Sequence, residues 1–126
     1  MNVREYCAAL QTIIQDCPFI IHWGMEFDEI DLQVGYFKGM LEFTNGTALH
    51  FIEFVETYEE GAVKRLKYKY HLQSATGDLI ARWDNVPHHR DIRSFPHHKH
   101  DKNGVHSSEP ADLKSVLDQI MDELEG

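Results

Sequence analysis

Met40-Leu41-Glu42-Phe43-Thr44-Asn45-Gly46-Thr47-Ala48-Leu49-His50-Phe51 is the stretch that decides the fold. Apolar side chains alternate with polar ones on both sides of Asn45-Gly46, a pair that tolerates positive φ and suits a type I′ hairpin. Working outward, the same period-two pattern recurs over Met25 to Leu32, Gly35 to Phe43, Thr47 to Thr57, Val63 to Gln73 and Asp78 to Asp84. The reversals between them, Glu59-Glu60-Gly61 and Ser74-Ala75-Thr76-Gly77-Asp78, are too short for crossovers and imply antiparallel neighbours.

Helical periodicity brackets this meander. Val3, Tyr6, Cys7, Leu10, Ile13, Ile14 and Cys17 repeat at helical spacing, predicting a helix over residues 3 to 16 that Pro18 ends. Leu113, Val116, Leu117, Ile120, Met121 and Leu124 predict a second helix over residues 111 to 124, with Pro110 near its start. The expected fold class is α+β: an antiparallel meander sheet of about five strands, with an N-terminal and a C-terminal helix packed on one face. The other face is left to carry a site.

At 126 residues, with 42% hydrophobic and 26% charged side chains, the chain is expected to form one folded domain over residues 1 to 126. No apolar run reaches membrane-spanning length and Met1-Asn2-Val3-Arg4-Glu5 lacks the regions of a signal peptide, so the expected location is the cytoplasm, with no membrane partner. Cys7 and Cys17, ten residues apart, would lie about 15 Å from each other on a helix, too far to bond. They read as reduced core thiols.

The net charge of −9 argues against a protein that coats nucleic acid over its whole surface. Yet nine of the 12 lysines and arginines fall between Lys64 and Lys102, opposed there by Asp78, Asp84, Asp91 and Asp101 only. That window carries about +5 and the remainder about −14, a basic site on an acidic body. In Leu66-Lys67-Tyr68-Lys69-Tyr70-His71-Leu72, Lys67, Lys69 and His71 face one way, and Leu66, Tyr68, Tyr70 and Leu72 the other. Glu53 shares a face with Leu49, Phe51 and Val55; a carboxylate there calls for a cationic partner or a chemical role.

The segment Arg82-Trp83-Asp84-Asn85-Val86-Pro87-His88-His89-Arg90-Asp91-Ile92-Arg93-Ser94-Phe95-Pro96-His97-His98-Lys99-His100 concentrates the chemistry. It holds five of the nine histidines and repeats Pro-His-His, each proline stiffening the chain ahead of a histidine pair. Three readings stay open. Asp84 with His88, His98 and His100 could ligate a divalent metal ion and activate water, although no H-E-x-x-H spacing is present. Alternatively, His88, His89, His97, His98 and His100 supply acid and base to a phosphodiester, with Glu53 and Asp84 orienting them. Lys67, Lys69, His71, Arg82, Arg90, Arg93 and Lys99 would then hold the phosphate. In the third, these side chains bond neighbouring carbonyls and carboxylates, and Asp84-Asn85 is a turn and cap. A non-enzymatic module gripping RNA or a protein through the basic face is the rival outside catalysis.

The strings Tyr68-Lys69-Tyr70-His71, Arg82-Trp83-Asp84-Asn85-Val86-Pro87-His88-His89 and Phe95-Pro96-His97-His98-Lys99-His100 resemble the TumE-type toxin family of prokaryotic toxin–antitoxin systems. Asn45-Gly46-Thr47-Ala48-Leu49 and Glu53 fit the same pattern, while Trp83 stands where the family often has tyrosine. The resemblance implies a small toxin silenced by a cognate antitoxin, commonly a helix-turn-helix DNA-binding protein. RNA as the target follows by analogy with other toxins of this kind. The acidic residues Asp112, Asp118, Asp122, Glu123 and Glu125 suit a solvated helix face, an antitoxin contact or a homo-oligomer.

Overall fold

A computed structural model describes residues 1–86 and 96–125. Helix α1 (Val3–Gln15) is followed by β1 (Ile20–Asp31), β2 (Val34–Phe43), β3 (Ala48–Thr57), β4 (Val63–Gln73), β5 (Leu79–Asp84), β6 (His98–Asp101), β7 (Gly104–Ser107) and helix α2 (Leu113–Glu125). The strands form one antiparallel sheet in chain order, β1-β2-β3-β4-β5-β6-β7. Among the described residues no helix is long and apolar enough to cross a membrane.

Both helices pack on one face of the sheet, as the periodicity predicts. The Asn2 side chain accepts from the Glu5 amide at 2.9 Å while Glu5 accepts from the Asn2 amide at 3.0 Å, a reciprocal cap that sets the start of α1. Val3, Tyr6, Leu10 and Ile14 from α1 and Leu113, Val116, Leu117 and Ile120 from α2 bury against alternate residues of β2 to β5, among them Phe37, Leu41, Phe51, Tyr70 and Trp83. Both cysteines are free thiols.

The Asn45-Gly46 hairpin forms where expected but with another turn. Gly46 N–H donates to the Phe43 carbonyl at 3.0 Å and Phe43 N–H to the Thr47 carbonyl at 2.9 Å, so Thr44-Asn45 occupy the corner and only the following glycine, at φ 87°, needs the left-handed region. The same bonding closes Tyr58 to Ala62 and Ser74 to Asp78. One turn design, reused, closes the three connections from β2 to β5.

Three differences from the sequence reading have physical causes. Strand β1 begins at Ile20 rather than Met25, because an edge strand exposed on much of both faces shows no alternation. Two further strands, β6 and β7, extend the sheet beyond β5; each is four residues long, and His-Lys-His-Asp has no apolar periodicity to betray it. Finally, the β3–β4 register shifts between Phe54 and Val55, opposite Lys67 and Arg65. That bulge leaves Leu66 exposed and turns Arg65 toward the helices, reversing the expected parity at the strand's start. Lys67, Lys69 and His71 keep the expected common face.

Candidate functional site

Register determines what meets on the helix-free face. One cross-strand row runs Gly24, Met40, His50, His71, Arg82, His100. The next runs Glu26, Lys38, Ile52, Lys69, Asp84, His98. Side chains directly opposite one another in paired strands share a face, so residues as far apart in sequence as His50 and His100 lie in one line.

The centre of this arrangement is Asp84, at 1% exposure. Its Oδ1 lies 2.6 Å from His98 Nε2 and accepts from the Val86 amide at 3.2 Å. Its Oδ2 accepts from Arg82 Nε at 3.0 Å and lies 3.4 Å from His100 Nε2. His98, also 1% exposed, has Nδ1 2.8 Å from the Pro96 carbonyl, which fixes a hydrogen on that nitrogen. The opposite nitrogen faces the carboxylate oxygen at 2.6 Å. Arg82 reaches on to His100, with Nη2 3.3 Å from Nε2, and the two imidazoles meet edge to face with centroids 4.6 Å apart. Ligand atoms of Asp84, His98 and His100 all lie within 4.8 Å of one another, so this trio is also where a divalent metal ion would be held.

His71, half-buried in the middle of its row, has its pKa lowered by burial first and then by the positive charges of Arg82 and Lys69, with His50 adding to them. It is therefore held as the neutral base at neutral pH. Lys69, exposed, is the cross-strand neighbour of Asp84.

Several expected site residues lie elsewhere. Glu53 points to the helix side, where it is fully buried and accepts from Tyr6 and, at 2.7 Å, from Tyr70; Arg65 Nε stands 3.5 Å from its Oε1. It has the cationic partner that its position demands, and the sheet separates it from Asp84. His97 leaves the trio as well: its ring stacks on Tyr68 and its Nδ1 lies 2.8 Å from the Tyr68 hydroxyl, which also accepts from the Ala111 amide at 3.2 Å. Burial and the neighbouring His98 lower the His97 pKa. Lys99 projects to the helix side, its Nζ 4.9 Å from the centre of the Trp83 ring. His88, His89, Arg90 and Arg93 fall outside the described residues. Asn85 acts as a cap, its side chain bonding the Tyr68 amide at 2.9 Å and the Leu66 carbonyl at 3.3 Å across the bulge. His50 is the residue that sequence reasoning missed: alternation puts it on the face of Ile52 and Phe54, and only the β3–β4 register reveals His71 as its neighbour.

Fold and site define a small α+β protein whose sheet bears helices on one side and a histidine-carrying face on the other. The sequence model of the toxin TumE family matches residues 10–126, and the chain belongs to that family. It is the toxin component of a toxin–antitoxin system, with a cognate antitoxin as partner. No curated protein and no solved structure matches the chain.

Proposed function

We propose that this toxin cleaves RNA in the cytoplasm, using imidazoles on the helix-free face as acid and base, and that its antitoxin is a helix-turn-helix protein that occludes this face. The observation that carries the reading is the register His71, Arg82, His100, a guanidinium flanked by two imidazoles on neighbouring strands. A phosphodiester held by Arg82 and Lys69 would lie between them. Neutral His71 takes the proton from a ribose 2′-hydroxyl, whose oxygen attacks phosphorus. The bond to the 5′ oxygen breaks, His100 protonates the departing oxygen, and a 2′,3′-cyclic phosphate remains. Arg82 stabilises the charge that gathers on the phosphoryl oxygens, and Asp84 holds Arg82 and counters the His100 imidazolium.

The test is induced expression of wild type, His71→Ala and His100→Ala in a bacterial host, following growth and total RNA together. Wild type is expected to arrest growth and fragment RNA, and both variants to lose at least about a hundredfold in cleavage. Arrest with intact RNA would refute the proposal.

The donor trio Asp84, His98 and His100 favours a second reading, metal-assisted hydrolysis at the same place. A histidine anchored through Nδ1 to a backbone carbonyl is the usual posture of a metal ligand. Activity that vanishes with chelator and returns with one ion selects this reading; indifference to chelator selects the first.

A further inference from the structure

The helix-free face carries a third row beside the two that build the site: Asp28, Tyr36, Phe54, Lys67. Tyr36 and Phe54 are directly opposed across β2 and β3 and only half-buried, a paired aromatic surface on the side of the sheet that the helices leave open. Between this pair and Arg82 lie Lys38, Ile52 and Lys69, then His50 and His71. Lys38, His50, Ile52, Lys69, His71 and Gln73 line a depression of about 320 Å³, and a second depression continues it past Met40 to Gly24 at the edge of the sheet. A Cβ at Gly24 would meet nothing within 4 Å, so that end is open.

The charges on this face are sorted. Lys38, Lys67, Lys69 and Arg82 occupy its middle, Arg82 beside the buried Asp84, whereas Glu26, Asp28, Glu42 and Glu56 stand at the periphery of β1 to β3. Cations in a narrow strip attract a phosphate backbone, and a border of carboxylates repels one that strays. Half-exposed aromatic rings beside such a strip provide stacking platforms for unpaired bases; an A-form duplex keeps its bases stacked inside and has no use for them.

We propose that this face binds single-stranded RNA, with unpaired bases stacked on Tyr36 and Phe54 and the backbone following Lys38 and Lys69 to Arg82. The proposal rests on the reading of Arg82 as the phosphate-holding residue, and it adds the strandedness of the substrate and the path it takes. It also explains the otherwise unused His50, which stands where the backbone passes from Lys38 toward His71.

The test is fluorescence anisotropy with the full chain and a labelled single-stranded RNA of about ten nucleotides, within the range one such platform covers. The same sequence annealed into a blunt duplex is the comparison. Wild type is expected to prefer the single strand. Tyr36→Ala/Phe54→Ala should weaken single-strand binding roughly tenfold or more and leave duplex binding nearly unchanged. Lys38→Gln/Lys69→Gln, at two exposed positions that do not threaten folding, should flatten the slope of log affinity against log salt by about 1.4. Tyr36→Phe/Phe54→Tyr should bind like wild type, which separates stacking from a general need for these side chains in folding. Equal affinity for single strand and duplex, or an unaltered salt slope, would overturn the proposal. A wild type that binds single-stranded RNA on these residues without cutting it would leave the platform standing and remove the hydrolytic reading. Cleavage that is indifferent to Tyr36→Ala/Phe54→Ala would do the reverse.

Discussion

Replacing Arg65 by methionine keeps an unbranched apolar stem and removes the only charge assigned above to neutralising Glu53. Glu53 is fully buried, and Arg65 Nε lies 3.5 Å from its Oε1. Two unit charges at that separation attract by about 5 kcal/mol at an effective dielectric of about 20. The Arg65 side chain keeps 25% of its exposure, so solvent already screens part of this and the expected loss is about 3 kcal/mol at neutral pH. The loss should depend on pH in a definite direction. Burial raises the Glu53 pKa, against the pull of Tyr6, Arg65 and Tyr70; without Arg65 it rises further. A carboxyl whose folded pKa is raised contributes most to stability below its unfolded value of about 4.3, and that contribution is lost as pH climbs through the folded value. The stability gap between wild type and Arg65→Met should therefore be smaller at pH 4.5 than at pH 7.5, widening as pH climbs through the wild-type folded value. Urea denaturation at the two pH values measures it, and Glu53→Gln/Arg65→Met should recover more than half of the loss. A deficit below about 1 kcal/mol at pH 7.5, or one that ignores pH, would refute the account of Glu53 as a buried ion-pair partner.

Tyr68→Phe removes the hydroxyl that joins His97 Nδ1 to the Ala111 amide, and the stranded amide should cost about 1–3 kcal/mol, read as a lowered midpoint in denaturant. Gly39→Ala would bring a Cβ to 2.4 Å from the Phe51 ring on the core side of the sheet, and thermal melting should report destabilisation of about 1–3 kcal/mol. In the RNA-cleavage assay, the acidic limb of wild-type activity should fall below the ordinary histidine pKa, because burial and then the neighbouring cations lower the His71 pKa; His71→Ala should abolish that limb along with most of the rate.

The helices, the class of fold and the meander were legible in the sequence because periodicity is a local property. Val3, Tyr6, Leu10 and Ile14 repeat on one side of a helix whatever they later touch, and three glycine-closed turns leave successive strands no partner but each other. The sharing of one face by Lys67, Lys69 and His71 was equally legible, since alternation needs no tertiary knowledge. The family was carried by local strings of residues and was shown by the match over residues 10–126.

Other features depended on pairing between distant segments, which leaves no local trace. His98 and His100 became neighbours of Asp84 and Arg82 only when β6 aligned against β5, and His-Lys-His-Asp carries no apolar pattern to announce a strand. His97, next in sequence to His98, went to the opposite side of the sheet, because adjacent residues of an extended chain point in opposite directions. Glu53 acquired its cation through a one-residue bulge that turned Arg65 inward in place of Leu66. Sequence determined which elements form and which residues share a strand face. Tertiary structure decided which faces of distant strands align, because register is settled by the packing of the whole sheet against its helices.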